Sequence, residues 1–248
     1  MKSLVSGLLL MAVGLAASAA APAAEPSANG KIRLLLTYGG HGFEEKPFFA
    51  MFDALPGVTY TKAPLPESAG LLKPGFQKQY DVLVMYDMCG GFSKEQQKAL
   101  VALLAQGIGV VSLHHNLGAH QAWPEFTKII GGKFCAKAET IGGKTYGPST
   151  YEHGQQIHVT VADEHHPITR GLADFTIHDE TYGKCYIAPG AHVLLRTDNP
   201  KNNPEIAWVQ PYGNSRVFYF QLGHDSMAWS NPAYPDILGR GIRWAAGR

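Results

Sequence analysis

Five short stretches of the chain hold side chains that could move protons or bind a cation. They are His41 in a glycine-rich segment, Asp87, the triplet His114-His115-Asn116, the run His178-Asp179-Glu180-Thr181-Tyr182, and the pair His224-Asp225. Neutral imidazoles beside carboxylates suit a zinc-type divalent ion, which polarises a carbonyl or activates water. The same groups suit metal-free acid/base catalysis near neutral pH. Both chemistries stay open at this point. A lone histidine at a strand end is more often a satisfied structural residue, so the weight rests on the joint pattern.

These stretches follow apolar runs that read as strands. Residues 32–37 (IRLLLT) lead to Gly39-Gly40-His41-Gly42 and an amphipathic segment over 43–55, which spells strand, turn, helix. Residues 58–61 form a second strand, and 80–86 (YDVLVMY) a third, nearly all apolar as a strand covered on both faces must be. Ser93-Lys94-Glu95-Gln96 has the form of a capping box, with Leu100, Leu103 and Leu104 on one face and Gly107 as the stop. Residues 109–113 (GVVSL) make the fourth strand, and 123–130 another helix closed by Gly131-Gly132. The second half is strand-rich, at 156–161, 192–196, 206–209 and 216–221, before a terminal helix over 232–246. The alternation predicts an α/β fold: a doubly wound, mainly parallel sheet with helices on both faces and strand-rich additions later. Ligands of such sheets gather in the crevice at strand C-terminal ends, where these turns would converge. Adjacent strand residues point to opposite faces, so of His114 and His115 the one nearer the turn, His115, is expected to face the crevice. His178 to Tyr182 are expected in a turn after Phe175-Thr176-Ile177.

Other chemistries fare worse. The chain has no GxSxG elbow, P-loop, GxGxxG or HExxH motif. Cys89, in Met88-Cys89-Gly90-Gly91, keeps a thiol mechanism open. Trp123, Trp208, Trp229 and Trp244 could floor a sugar site, although three of the four read more simply as core. His165-His166-Pro167 reads as a surface loop, and His120, His153, His158 and His192 have no evident partner.

The 248 residues are 45% hydrophobic and 17% charged, enough for a full core without staples. Lys2 precedes an apolar run over 4–16 that decays into Ala, Ser and Pro, so residues 1–24 read as a cleaved secretory signal and 25–248 as a single domain, periplasmic or secreted. No later run is long enough to anchor the chain in a bilayer. Basic and acidic residues number 21 and 20, with no Lys/Arg block, which argues against nucleic acid and for a small, neutral or polar ligand. The three cysteines, Cys89, Cys135 and Cys185, match no metal-site spacing and read as buried thiols, with one disulfide possible.

Taken in order, several short motifs resemble the ThuA-like, or trehalose-utilisation, family. They are Gly40-His41-Gly42-Phe43, Ser112-Leu113-His114-His115-Asn116, Trp123-Pro124-Glu125-Phe126, His166-Pro167-Ile168-Thr169, Asp179-Glu180-Thr181-Tyr182, Leu222-Gly223-His224-Asp225 and Gly241-Ile242-Arg243-Trp244. The resemblance implies a fold related to class I glutamine amidotransferases (flavodoxin-like) whose elbow lacks the thiol. It also implies a place in sugar catabolism, with oxidised (3-keto) sugars or glycosides as ligand class. The chain departs from the family after Phe134, where Cys135-Ala136-Lys137-Ala138-Glu139 stands in place of a histidine-containing segment; His153, in 147–153 (GPSTYEH), could supply the missing imidazole. On this reading His115, Asp179, Glu180 and His224 are catalytic: His115 and His224 support the electrophile and could hold a divalent metal such as zinc, and Glu180 or Asp179 is the base. His41, Asn116, Tyr182 and Asp225 bind the sugar. The expected activity is general acid/base elimination, hydrolysis or isomerisation, and the alternative is a sugar-binding or scaffold protein that has lost catalysis.

Overall fold

A computed structural model describes residues 30–248; the signal segment expected at 1–24 lies outside the described residues. The chain begins with β1 (Ile32–Gly39), α1 (Glu45–Ala54), β2 (Val58–Pro64), β3 (Val82–Asp87), α2 (Lys94–Leu104), β4 (Gly109–Leu113) and α3 (Pro124–Ile130). It continues through β5 (Gly132–Lys133), β6 (Glu139–Ile141), β7 (Lys144–Tyr146), β8 (Thr150–Val161), β9 (Phe175–Gly183), β10 (Tyr186–Ile187), β11 (His192–Thr197), β12 (Glu205–Tyr212) and β13 (Ser215–Phe220). Two helices close it, α4 (Ser226–Ser230) and α5 (Ala233–Ala245).

Nine strands form one sheet in the order β2-β1-β3-β4-β13-β12-β11-β8-β9. The first five are parallel and the remaining four run antiparallel. The predicted doubly wound architecture therefore holds, with the strand-rich second half extending the same sheet. Small ladders join β5 to β10 and β6 to β7. Period-two alternation divides the core: Leu34, Leu36 and Val84 pack with Phe48, Phe52, Trp229 and Ile237 from α1, α4 and α5. Leu35, Leu83 and Val110 pack on the other face with Leu100, Leu103 and Phe126 from α2 and α3. Every residue of β3 and β4 is buried, as their apolar runs require. The predicted capping box starts α2: the Gln96 N–H donates to Ser93 Oγ at 3.2 Å, and the Ser93 N–H donates to Gln96 Oε1 at 2.8 Å.

Strands β4 and β9 are five ladder steps apart, about 24 Å if the sheet were flat. Yet side chains from β9 touch those following β4. The antiparallel half thus curls back over the C-terminal ends of β4 and β13, and this curl builds the site.

Candidate functional site

Strand β4 ends at Leu113, and a short 3-10 turn, His114–Gly118, follows at once. His114 takes φ +47°, a left-handed conformation that non-glycine residues adopt reluctantly and that clusters at functional turns. This turn breaks the strand alternation, so His114 and His115 are both buried at the crevice. The His114 Nδ1 lies 2.7 Å from the Gln221 carbonyl oxygen, which can only accept, so Nδ1 carries a proton and Nε2 is the nitrogen turned to the cluster. That Nε2 lies 3.1 Å from Glu180 Oε2, 3.1 Å from the Tyr182 hydroxyl and 3.3 Å from His224 Nδ1. His224 Nδ1 in turn lies 3.3 Å from Glu180 Oε2.

The fourth member comes from β8. Glu152 pairs with Thr181 and Gln155 with Asp179, so His153 and Gly154 together oppose the single residue Glu180. Such a bulge bends the strand and re-aims a side chain, and Gly154, at φ +65°, takes the left-handed position. His153 Nδ1 thereby lies 3.2 Å from Glu180 Oε1. One carboxylate holds three imidazoles drawn from three parts of the chain.

Burial opposes the Glu180 charge, but hydrogen bonds from His114 and His224 outweigh it and hold the carboxyl far below the usual carboxylate range. The bond with Glu180 raises His224 above an ordinary histidine. Burial, reinforced by the neighbouring His114 and His41 rings, pushes His115 well below, and it stays neutral. Its Nε2 lies 3.1 Å from the Tyr86 carbonyl oxygen, and its ring stacks on His41 at 4.8 Å. His41 places Nδ1 2.7 Å from the Gly42 carbonyl oxygen, leaving Nε2 as the acceptor.

Beside this cluster lies a cavity of about 590 Å³, its open mouth included. His41, His115, His153 and Glu180 supply its polar wall, and Phe134, Tyr151 and Tyr182 much of its apolar one. The donor atoms of His114, Glu180 and His224 lie within 4.8 Å of one another, so among the described residues these three could hold a metal ion.

The structure revises several sequence expectations. His114, not His115, stands beside Glu180 and His224, because the left-handed turn begins one residue earlier than strand alternation suggests. His178 to Tyr182 belong to strand β9 and not to a turn. Asp179 is buried and spends both oxygens on backbone N–H groups: Gly223 at 2.7 Å, His224 at 3.0 Å and Glu180 at 2.8 Å. It therefore positions Glu180 and His224 and lines no part of the cavity. Asn116 is buried and tied to Ser112 Oγ and the Asp87 carbonyl, and Asp225 caps α4 through the Met227 and Ala228 N–H groups. Neither faces the cavity, whereas His41 and Tyr182 do. The cavity wall contains no tryptophan, and Trp123, Trp208 and Trp229 are buried core. His153, singled out by the departure after Phe134, does reach the cluster.

The cysteines are free and buried, and burial pushes Cys89 and Cys135 up to about 11 and Cys185 to about 12. The cavity wall contains none of them.

The family model described as trehalose utilisation (ThuA) matches residues 62–245. Among solved structures the chain is similar to a putative ThuA-like protein from Parabacteroides merdae, with 21% identity, a TM-score of 0.70, and coverage of 87% of this chain and 90% of that one. It is also similar to one from Bacteroides uniformis, with 21% identity, a TM-score of 0.63, and coverage of 94% and 95%. PurLQS from Thermotoga maritima shares the fold at 12% identity and a TM-score of 0.55, covering 86% and 99%. No curated protein sequence matches the chain.

Proposed function

The chain belongs to the ThuA family, described by trehalose utilisation, and from that premise we propose that it is an enzyme of carbohydrate catabolism. Its substrate is an oxidised (3-keto) sugar or glycoside, processed by general acid/base elimination, hydrolysis or isomerisation. The observation that carries this reading is the carboxylate Glu180 shared by His114, His153 and His224 at the wall of a solvent-open cavity.

A 3-ketone acidifies the hydrogen at C2. A base removes that proton, and its bonding pair forms an enolate whose charge rests on the carbonyl oxygen. In the elimination the pair returns, the bond from C1 to the glycosidic oxygen breaks, and an acid protonates the leaving oxygen. Glu180 is too firmly ionised to be a good base. His153 fits better, because its Nδ1 faces Glu180 and leaves Nε2 to accept a proton. Without a metal bound, His224, whose affinity for a proton is raised, suits the acid. The apolar run after Lys2, read as a secretory signal over residues 1–24, supports the periplasm or beyond as the place of this work.

The test is turnover of 3-keto-trehalose and related keto-glycosides by the purified mature chain, with and without added divalent metal. Glu180→Gln and His153→Ala should each lower kcat/KM by about 100-fold or more. Substrates left unchanged under every condition would overturn the enzymatic reading. The alternative, a sugar-binding protein without catalysis, draws support from the histidine at the elbow and the buried, proton-bound thiols. Saturable sugar binding without turnover would favour it.

A further inference from the structure

We propose that His114 Nε2, Glu180 Oε2 and His224 Nδ1 are three protein ligands of a divalent first-row metal ion, with zinc the best match. The three atoms form a triangle with edges of 3.1, 3.3 and 3.3 Å. Ligands held about 2.0–2.1 Å from a tetrahedral zinc lie about 3.3 Å apart, so the triangle already has the required size. The donor set of two imidazoles and one carboxylate belongs to catalytic zinc sites that leave the fourth position open. The burial pattern fits that arrangement, with the side chain of His114 fully buried and that of His224 21% exposed.

The surrounding hydrogen bonds prepare each ligand. The Gln221 carbonyl accepts from His114 Nδ1 and leaves Nε2 as the nitrogen that can ligate at the centre. Tyr182 and His224 can each donate one proton into the cluster. His153 orients Glu180 through its other oxygen, while Asp179 fixes the backbone of both Glu180 and His224. Outer partners of this kind accompany metal ligands and tune them. An ion held here would act as a Lewis acid toward a carbonyl oxygen in the cavity.

The inference deepens the reading above at the same site but does not depend on which sugar is bound. Its test therefore reads metal, not turnover. The full mature chain, untagged and stripped with a chelator, is titrated with zinc by calorimetry, and its bound metal is counted by elemental analysis after dialysis. One equivalent is expected in the wild type, with affinity reduced at least 100-fold in His114→Ala, Glu180→Gln and His224→Ala. Circular dichroism checks that each variant is folded. His192→Ala should keep the full equivalent, which excludes capture by the half-buried His166 and exposed His192 rings, 5.7 Å apart. Cobalt(II) added to the wild type should give the intense visible bands of a tetrahedral site, a signature that needs no variant. Zinc binding that is absent from the wild type, or unchanged in all three ligand variants, overturns the proposal. One equivalent of zinc with no keto-sugar turnover would leave the metal site standing and remove the proposed reaction, whereas turnover by a protein that binds no zinc in the titration would do the reverse.

Discussion

Asp87 and His120 form a second buried acid–imidazole pair, 3.8 Å apart, that lines no part of the cavity. Thr37 donates to Asp87 Oδ1 at 2.6 Å, but Oδ2 and both His120 ring nitrogens have no hydrogen-bond partner. Burial pushes Asp87 up to about 6 and His120 down to about 4. A carboxyl raised on folding binds its proton more tightly in the native state, so its contribution to stability falls as pH rises from about 4 to about 6. An imidazole lowered on folding does the opposite, and its contribution falls as pH drops from about 6.5 to about 4. In the wild type the two slopes oppose each other and nearly cancel between about pH 4 and 6. Single variants should expose them. Relative to wild type, His120→Phe should lose stability as pH rises across that window, and Asp87→Asn should lose it as pH falls, each by about 3 kcal/mol at most. Urea midpoints at four pH values check this, and curves parallel to wild type would refute it.

The bulge in β8 is the element that completes the site, since only the extra residue opposite Glu180 brings His153 to it. Replacing Gly154, at φ +65°, by alanine should cost about 1 kcal/mol in stability and disturb the register. Turnover should fall with it, while zinc stoichiometry at His114, Glu180 and His224 should stay at one. A simultaneous loss of metal would show that the bulge supports the whole cluster and not His153 alone. Sequence made some elements plain and hid others for physical reasons. The runs in β3 and β4 and the cap of α2 are local signals, and all three were readable. Strand β9 was not, because His178-Asp179-Glu180-Thr181 is polar and reads as a turn, and only the distant curl of the sheet buries Asp179 and Glu180. Alternation favours His115 over His114 because it assumes that the strand continues, and the left-handed φ that ends it leaves no mark in residue type.

For the whole molecule, size and composition predicted a core that needs no covalent staple, and the three thiols are free and buried. Native protein should therefore react with none of them within minutes when treated with a disulfide reagent, and denaturant should release all three; a fast-reacting native thiol would contradict this burial. The curl of the sheet, by contrast, was beyond sequence reasoning, because it brings residues 114, 180 and 224 together through contacts that no local pattern encodes. It also has a thermodynamic effect. The cavity wall takes His115 from the turn after β4 and Glu180 from the edge strand β9, so a molecule bound there fastens the middle of the sheet to one of its edges. A ligand present at 100 times its dissociation constant would add about 2.7 kcal/mol to the stability of the folded chain. A melting curve on the native protein can thus rank candidate sugars before any reaction product is known.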